Sequence, residues 1–65
     1  MSTSAEIVRD LAAVEELGAT TIAAFARRED VPNATARRRL NALANAGLIQ
    51  RGRVGNTYVF VARQG

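Results

Sequence analysis

Arginine side chains carry most of the chemistry this sequence can offer. Its 65 residues hold nine basic residues, all arginine, with Arg37, Arg38 and Arg39 in one run and Arg51 and Arg53 on either side of Gly52. A guanidinium is a permanent cation whose planar fork of donors matches phosphate oxygens and the O6/N7 edge of guanine. That chemistry holds an anion and does not break bonds. The chain has no Cys and no His, which removes disulfides, zinc sites of the Cys/His type and any nucleophile–histidine pair. Glu15–Glu16 and Glu29–Asp30 are adjacent carboxylates, yet neighbours on a helix point about 100° apart and do not converge on a metal. Gly52 and Gly55 sit in turn chemistry rather than between a strand and a helix, so they build no phosphate-cradling loop. Carboxylates, hydroxyls and one tyrosine remain, in a chain too short to enclose a cleft. No enzyme, no metal and no cofactor is expected.

The distribution of charge says more than its sum of +3. All six acids (Glu6, Asp10, Glu15, Glu16, Glu29 and Asp30) lie in the first thirty residues, beside Arg9, Arg27 and Arg28. The remaining residues hold Arg37, Arg38, Arg39, Arg51, Arg53 and Arg63 with no acid. Such polarity points to a polyanionic partner met by the second half, against the plainer alternative of a solvated face.

These residues need elements to position them. Thr3 and Glu6 have capping-box spacing, and Ile7, Leu11 and Val14 follow at helical intervals until Gly18, which predicts a helix over about 4–17. Thr21 can cap a second helix over about 22–29 that carries Ile22, Phe25 and Ala26, and Pro32 ends it. A third helix over about 33–46, with Pro32 or Asn33 at its start, buries Ala36, Leu40 and Leu43 before Gly47. The period then turns to alternation. Leu48–Arg51 and Thr57–Val61 read as the strands of a hairpin over about 48–61, joined through the turn residues Gly52–Asn56, with Gln64 and Gly65 fraying. The expected architecture is a single α+β domain over residues 1–65. Three helices pack around Leu11, Val14, Phe25, Val31, Leu40 and Leu43, and the hairpin closes on them through Leu48 and Phe60. Tyr58 and Phe60 share one face of the hairpin and are read as core closure rather than as a base-stacking platform.

The stretch "TIAAFARREDVPNATARRRLNALANAGLI" resembles the helix-turn-helix of winged-helix bacterial and phage regulators. The matching positions are the capping Thr21, the Phe25–Ala26 pair, the Thr35-x-x-Arg38 segment, the spaced Leu40 and Leu43, and the closing Gly47–Leu48. The wing "QRGRVGNTYVF" is similar to that of small fimbrial-operon regulators of the FaeA kind. The resemblance implies a three-helix winged helix-turn-helix with a C-terminal β-hairpin wing, and double-stranded DNA as partner. Two residues depart from the pattern. Asp30 stands where many relatives have a turn glycine, and Glu29 where many have a buried leucine. Asp tolerates the left-handed conformation better than most residues, and Glu29 is expected to point outward or to pair with an arginine such as Arg39.

At 100° per residue, a stripe centred on Ala36, Leu40 and Leu43 leaves Ala34, Arg38, Asn41 and Asn45 outermost, flanked by Thr35 and Arg37. Small polar residues let such a helix sink into a groove while arginine reads base edges or phosphates. The candidate DNA contacts on this recognition helix are Asn33, Thr35, Arg37, Arg38 and Asn41. Arg39 lies near the core edge and is read as solvating the helix and balancing the acids of helices 1 and 2. In the wing the candidates are Arg51, Arg53, Asn56 and Thr57, reaching phosphate or the minor groove.

The expectation is a sequence-specific double-stranded DNA-binding transcriptional regulator, cytoplasmic and nucleoid-associated, with no membrane partner and no small-molecule ligand. No apolar run approaches the roughly 18 residues of a membrane span, and Met1–Glu6 lacks the features of a secretory signal. One copy would bind weakly, so a homodimer or a second DNA-bound regulator is expected, pairing through helix 1 or the second hairpin strand. The rival readings are a protein–protein adaptor on the same scaffold and a mobile-element accessory factor such as an excisionase.

Overall fold

Each helix ends where the sequence supplies a residue able to leave the helical region. In a computed structural model that describes residues 4–63, α1 runs Ser4–Leu17, β1 Ala19–Thr21, α2 Ile22–Glu29, α3 Asn33–Asn45, β2 Ile49–Val54 and β3 Thr57–Ala62. Thr3 of the expected capping box and the terminal Gln64 and Gly65 lie outside the described residues. Gly18 and Gly47 take φ values of 79° and 77°, a region open to glycine without steric cost, and so stop α1 and α3. The Thr21 hydroxyl accepts from the Ala24 N–H at 3.2 Å and opens α2.

Asp30 closes α2 in the left-handed region, at φ 56° and ψ 51°. The Val31 N–H then returns to the Ala26 carbonyl at 3.0 Å, and Pro32 starts α3 without lending a side-chain cap. This tight link sets α2 and α3 as a helix-turn-helix.

The sheet has three strands rather than the two expected. Their order is β1-β3-β2, all antiparallel. Ala19, Thr20 and Thr21 pair with Val61, Phe60 and Val59, so β3 is central and only β1 and β2 present edges. Over Val59–Val61 the second hairpin strand is therefore paired on both sides.

Cross-strand partners share a face. Ile49, Arg51 and Arg53 stand opposite Ala62, Phe60 and Tyr58, and Thr20 stands opposite Phe60. Phe60 is fully buried and Ile49 is 3% exposed, so this face meets the helices. Leu48, expected in the core, is 36% exposed. Alternation in a strand leaves no middle option, and a one-residue difference in where β2 starts exchanges the two faces.

The core comprises Ala13, Val14, Phe25, Ala26, Ala36, Leu40, Leu43, Ile49 and Phe60. Leu11 and Val31 pack at its margin, half-buried.

Arg39 adds an ionic centre to this small core. It is 7% exposed, donates from Nε to Asp10 Oδ2 at 3.0 Å and from Nη2 to Asp10 Oδ1, and bonds Glu29 Oε1 at 2.9 Å. Its guanidinium carbon also lies 5.5 Å from the centroid of the Phe25 ring. The hydrogen bond to Asp10 raises the Arg39 pKa further above its ordinary value, against the opposing effect of burial. One side chain of α3 is thereby held by α1 and α2 together. Glu29, expected to point outward or to pair with an arginine such as Arg39, serves as half of that clamp.

Candidate nucleic-acid interface

With Arg39 committed to the interior, the outer face of α3 presents a different set. Asn33, Ala34, Arg37, Arg38 and Asn45 are exposed, while Thr35 and Asn41 are half-buried. Asn41 is not turned straight outward. Its Oδ1 accepts a 2.8 Å hydrogen bond from Arg51 Nη1 of β2, so it faces the wing. Asn41 lies three and four residues from Arg38 and Arg37, the spacing at which helix side chains are neighbours. Arg37 and Arg51 line the same concavity as Asn41.

The wing approaches α3 through the same alternation that buries its base. Ile49 is buried, whereas Arg51 and Arg53, two and four residues on, lie on the same face and are exposed. Arg53 folds back over its cross-strand partner, with its guanidinium carbon 6.0 Å from the Tyr58 ring centroid and its Nε donating to the Gly55 carbonyl at 2.9 Å.

A groove of about 500 Å³ separates the wing from the helices, lined by Ile22, Arg37, Asn41, Arg51, Tyr58 and Phe60. A second concavity of about 460 Å³ shares Ile22, Arg37 and Tyr58 and reaches Asn33, Asn56 and Thr57. The two make one trough from the wing tip to the middle of α3. Six of the nine candidate contacts line it: Asn33, Arg37, Asn41, Arg51, Asn56 and Thr57. Arg38 is exposed on α3 outside that lining, Arg53 lies over Tyr58, and Thr35 is half-buried in the first turn of α3.

Electrostatically the trough has one sign. No residue lining either concavity is acidic. Among the described residues the ion pairs are those of Arg39 with Asp10 and Glu29 and of Arg28 with Glu16 and Glu29. Among the described residues, no carboxylate forms an ion pair with Arg37, Arg38, Arg51 or Arg53.

Sequence alternation correctly puts Tyr58 and Phe60 on one face, but only Phe60 is core. Tyr58 is 49% exposed because it lies one residue pair from the Gly55–Asn56 turn, where the wing has run past the helical layer. Its distance from the turn, counted along the strand, was the available signal.

A family model described as a helix-turn-helix domain matches residues 2–51. The chain belongs to the helix-turn-helix family. In that frame α2, the Asp30–Pro32 link and α3 are the helix-turn-helix proper, and β2–β3 form the wing of an α+β winged fold. The match ends at Arg51, so most of the wing is defined by the structure. No significant match is found among curated proteins or among solved structures. Helix-turn-helix domains of this build are DNA-binding modules of transcription regulation that use the second helix of the motif as the reader. Among the described residues no helix is long and apolar enough to cross a membrane.

Proposed function

We propose that the protein is a sequence-specific regulator of transcription that places α3 in the major groove of double-stranded DNA and lays its wing on the flanking backbone. Arg38 is the first reader of base edges, joined by Asn33 and Thr35 from the N-terminal half of α3, while Arg37, which lines the trough with Arg51, meets backbone phosphate. Arg51, Arg53, Asn56 and Thr57 hold the backbone, and Asn41 links helix to wing. The observation that carries this reading is the single trough bounded by α3 and the wing, with arginines from both segments and no carboxylate in its lining.

Arginine contacts to phosphate supply affinity, and base edges supply discrimination. One copy offers only a handful of such contacts, so useful specificity calls for a second copy or another regulator on adjacent DNA. The domain acts without catalysis and without a cofactor, in the cytoplasm on the nucleoid.

Selection of bound duplexes from a random pool tests the reading. A recovered motif, with half-site spacing near a multiple of one helical turn if copies pair, is the expected result. Recovery of no preferred sequence, from a protein that nonetheless binds duplex at low salt, would contradict the sequence-specific assignment.

A further inference from the structure

We propose that the trough between α3 and the wing is the track of one DNA sugar–phosphate strand, with Tyr58 as an uncharged donor to a phosphate at its midpoint. This inference rests on the DNA-binding reading and extends it to a residue the recognition pattern does not include. Tyr58, Ile22 and Arg37 belong to both concavities, so they mark where the trough is continuous. Each concavity has the volume of a small-ligand site, too little for a duplex but enough for a backbone segment. Its chemistry fits that segment. Ile22 and the Tyr58 ring offer apolar surface to deoxyribose, and Arg37 and Arg51 offer charge to phosphate. The Arg53 guanidinium carbon lies 6.0 Å from the Tyr58 ring centroid, so one ring face already has a cation beside it. The phenolic hydroxyl remains as the group of Tyr58 suited to a phosphate oxygen.

A charged contact and an uncharged one differ in their response to salt. Loss of an arginine–phosphate contact lowers the slope of log affinity against log salt by about 0.9, whereas loss of a tyrosine hydroxyl leaves that slope unchanged. The test is a fluorescence-anisotropy titration of a labelled short duplex of mixed sequence, over a salt series, with the wild type, Tyr58→Phe and Arg37→Ala. Phosphate contacts are independent of sequence, so no operator is needed. Tyr58→Phe is expected to weaken binding about two- to tenfold with the slope retained, and Arg37→Ala to weaken it with a lower slope. Thermal melting of both variants, expected to match the wild type, separates binding from folding. Wild-type affinity in Tyr58→Phe, alongside weakened Arg37→Ala, overturns the strand path and leaves the proposed function standing. Absence of wild-type binding at low salt overturns the function itself, and the inference with it.

Discussion

Arg51 of the wing hydrogen-bonds Asn41 of α3 at 2.8 Å, so the two parts of the candidate interface are tied before any DNA arrives. The bond is exposed and joins residues on separate elements. Such a contact contributes little stability but fixes the distance between reader and wing, which reduces the ordering cost of binding.

Removing this tie should therefore change binding more than folding. Asn41→Ala is expected to shift stability by no more than about 0.5 kcal/mol, as for most surface changes. Binding to duplex DNA should weaken severalfold, as the Arg51 guanidinium loses its preferred position. Urea denaturation and anisotropy titration on one preparation check the contrast, and equal losses in both would contradict it.

Arg39 calls for the opposite experiment. Its carboxylate partners come from α1 and α2, and all three groups are mostly shielded from water. Asp10→Ala leaves a buried guanidinium with Glu29 alone and is expected to cost about 3 kcal/mol. That is a large share of a small domain's stability, at about 0.05–0.15 kcal/mol per residue. Chemical denaturation measures it, and a loss below about 1 kcal/mol would show that the triad is not a clamp. Because its pKa is raised on folding, the contribution of Arg39 is fully present below its unfolded value and is lost only as pH rises through the higher folded value. Stability due to this group is thus level from neutral into alkaline pH.

The register of the wing has its own test. Ile49→Ala is expected to cost about 2–4 kcal/mol, the usual range for a buried aliphatic, and Leu48→Ala less than about 1 kcal/mol. A reversed ranking in thermal or urea melts would place Leu48 on the inner face.

Asp30 offers a stabilising change. Its φ of 56° costs an L-residue about 1 kcal/mol that glycine does not pay. Asp30→Gly is expected to leave stability unchanged or raise it by up to about 1 kcal/mol, while Asp30→Val lowers it. Matching losses for Gly and Val would mean that the Asp30 side chain itself stabilises the turn.

These outcomes follow the same divide as the legibility of the chain. Helix boundaries could be read because Thr21, Pro32, Gly18 and Gly47 act through local backbone rules that need no tertiary knowledge. The strand Ala19–Thr21 could not. Three residues between a helix stop and a helix cap carry no periodic signal, and they become a strand only through pairing with β3. Leu48 and Ile49 are adjacent apolar residues of similar size, and their faces are decided by the pairing of Ile49 with Ala62. On α3, the placement of Arg39 toward the core followed from helix geometry alone. The turn of Asn41 toward Arg51, and the exposure of Tyr58, depend on how far the wing extends past the helices.

The central claim is that arginines of α3 and of the wing act together on one duplex. The most direct measurement is the salt dependence of binding for the wild type and for the double variant Arg38→Ala, Arg53→Ala on the same labelled DNA. The account predicts binding at low salt, weaker binding by the double variant, and a slope smaller by about one, because Arg53 holds phosphate while Arg38 reads base edges. A slope equal to that of the wild type, or no duplex binding by the wild type at low salt, would contradict it.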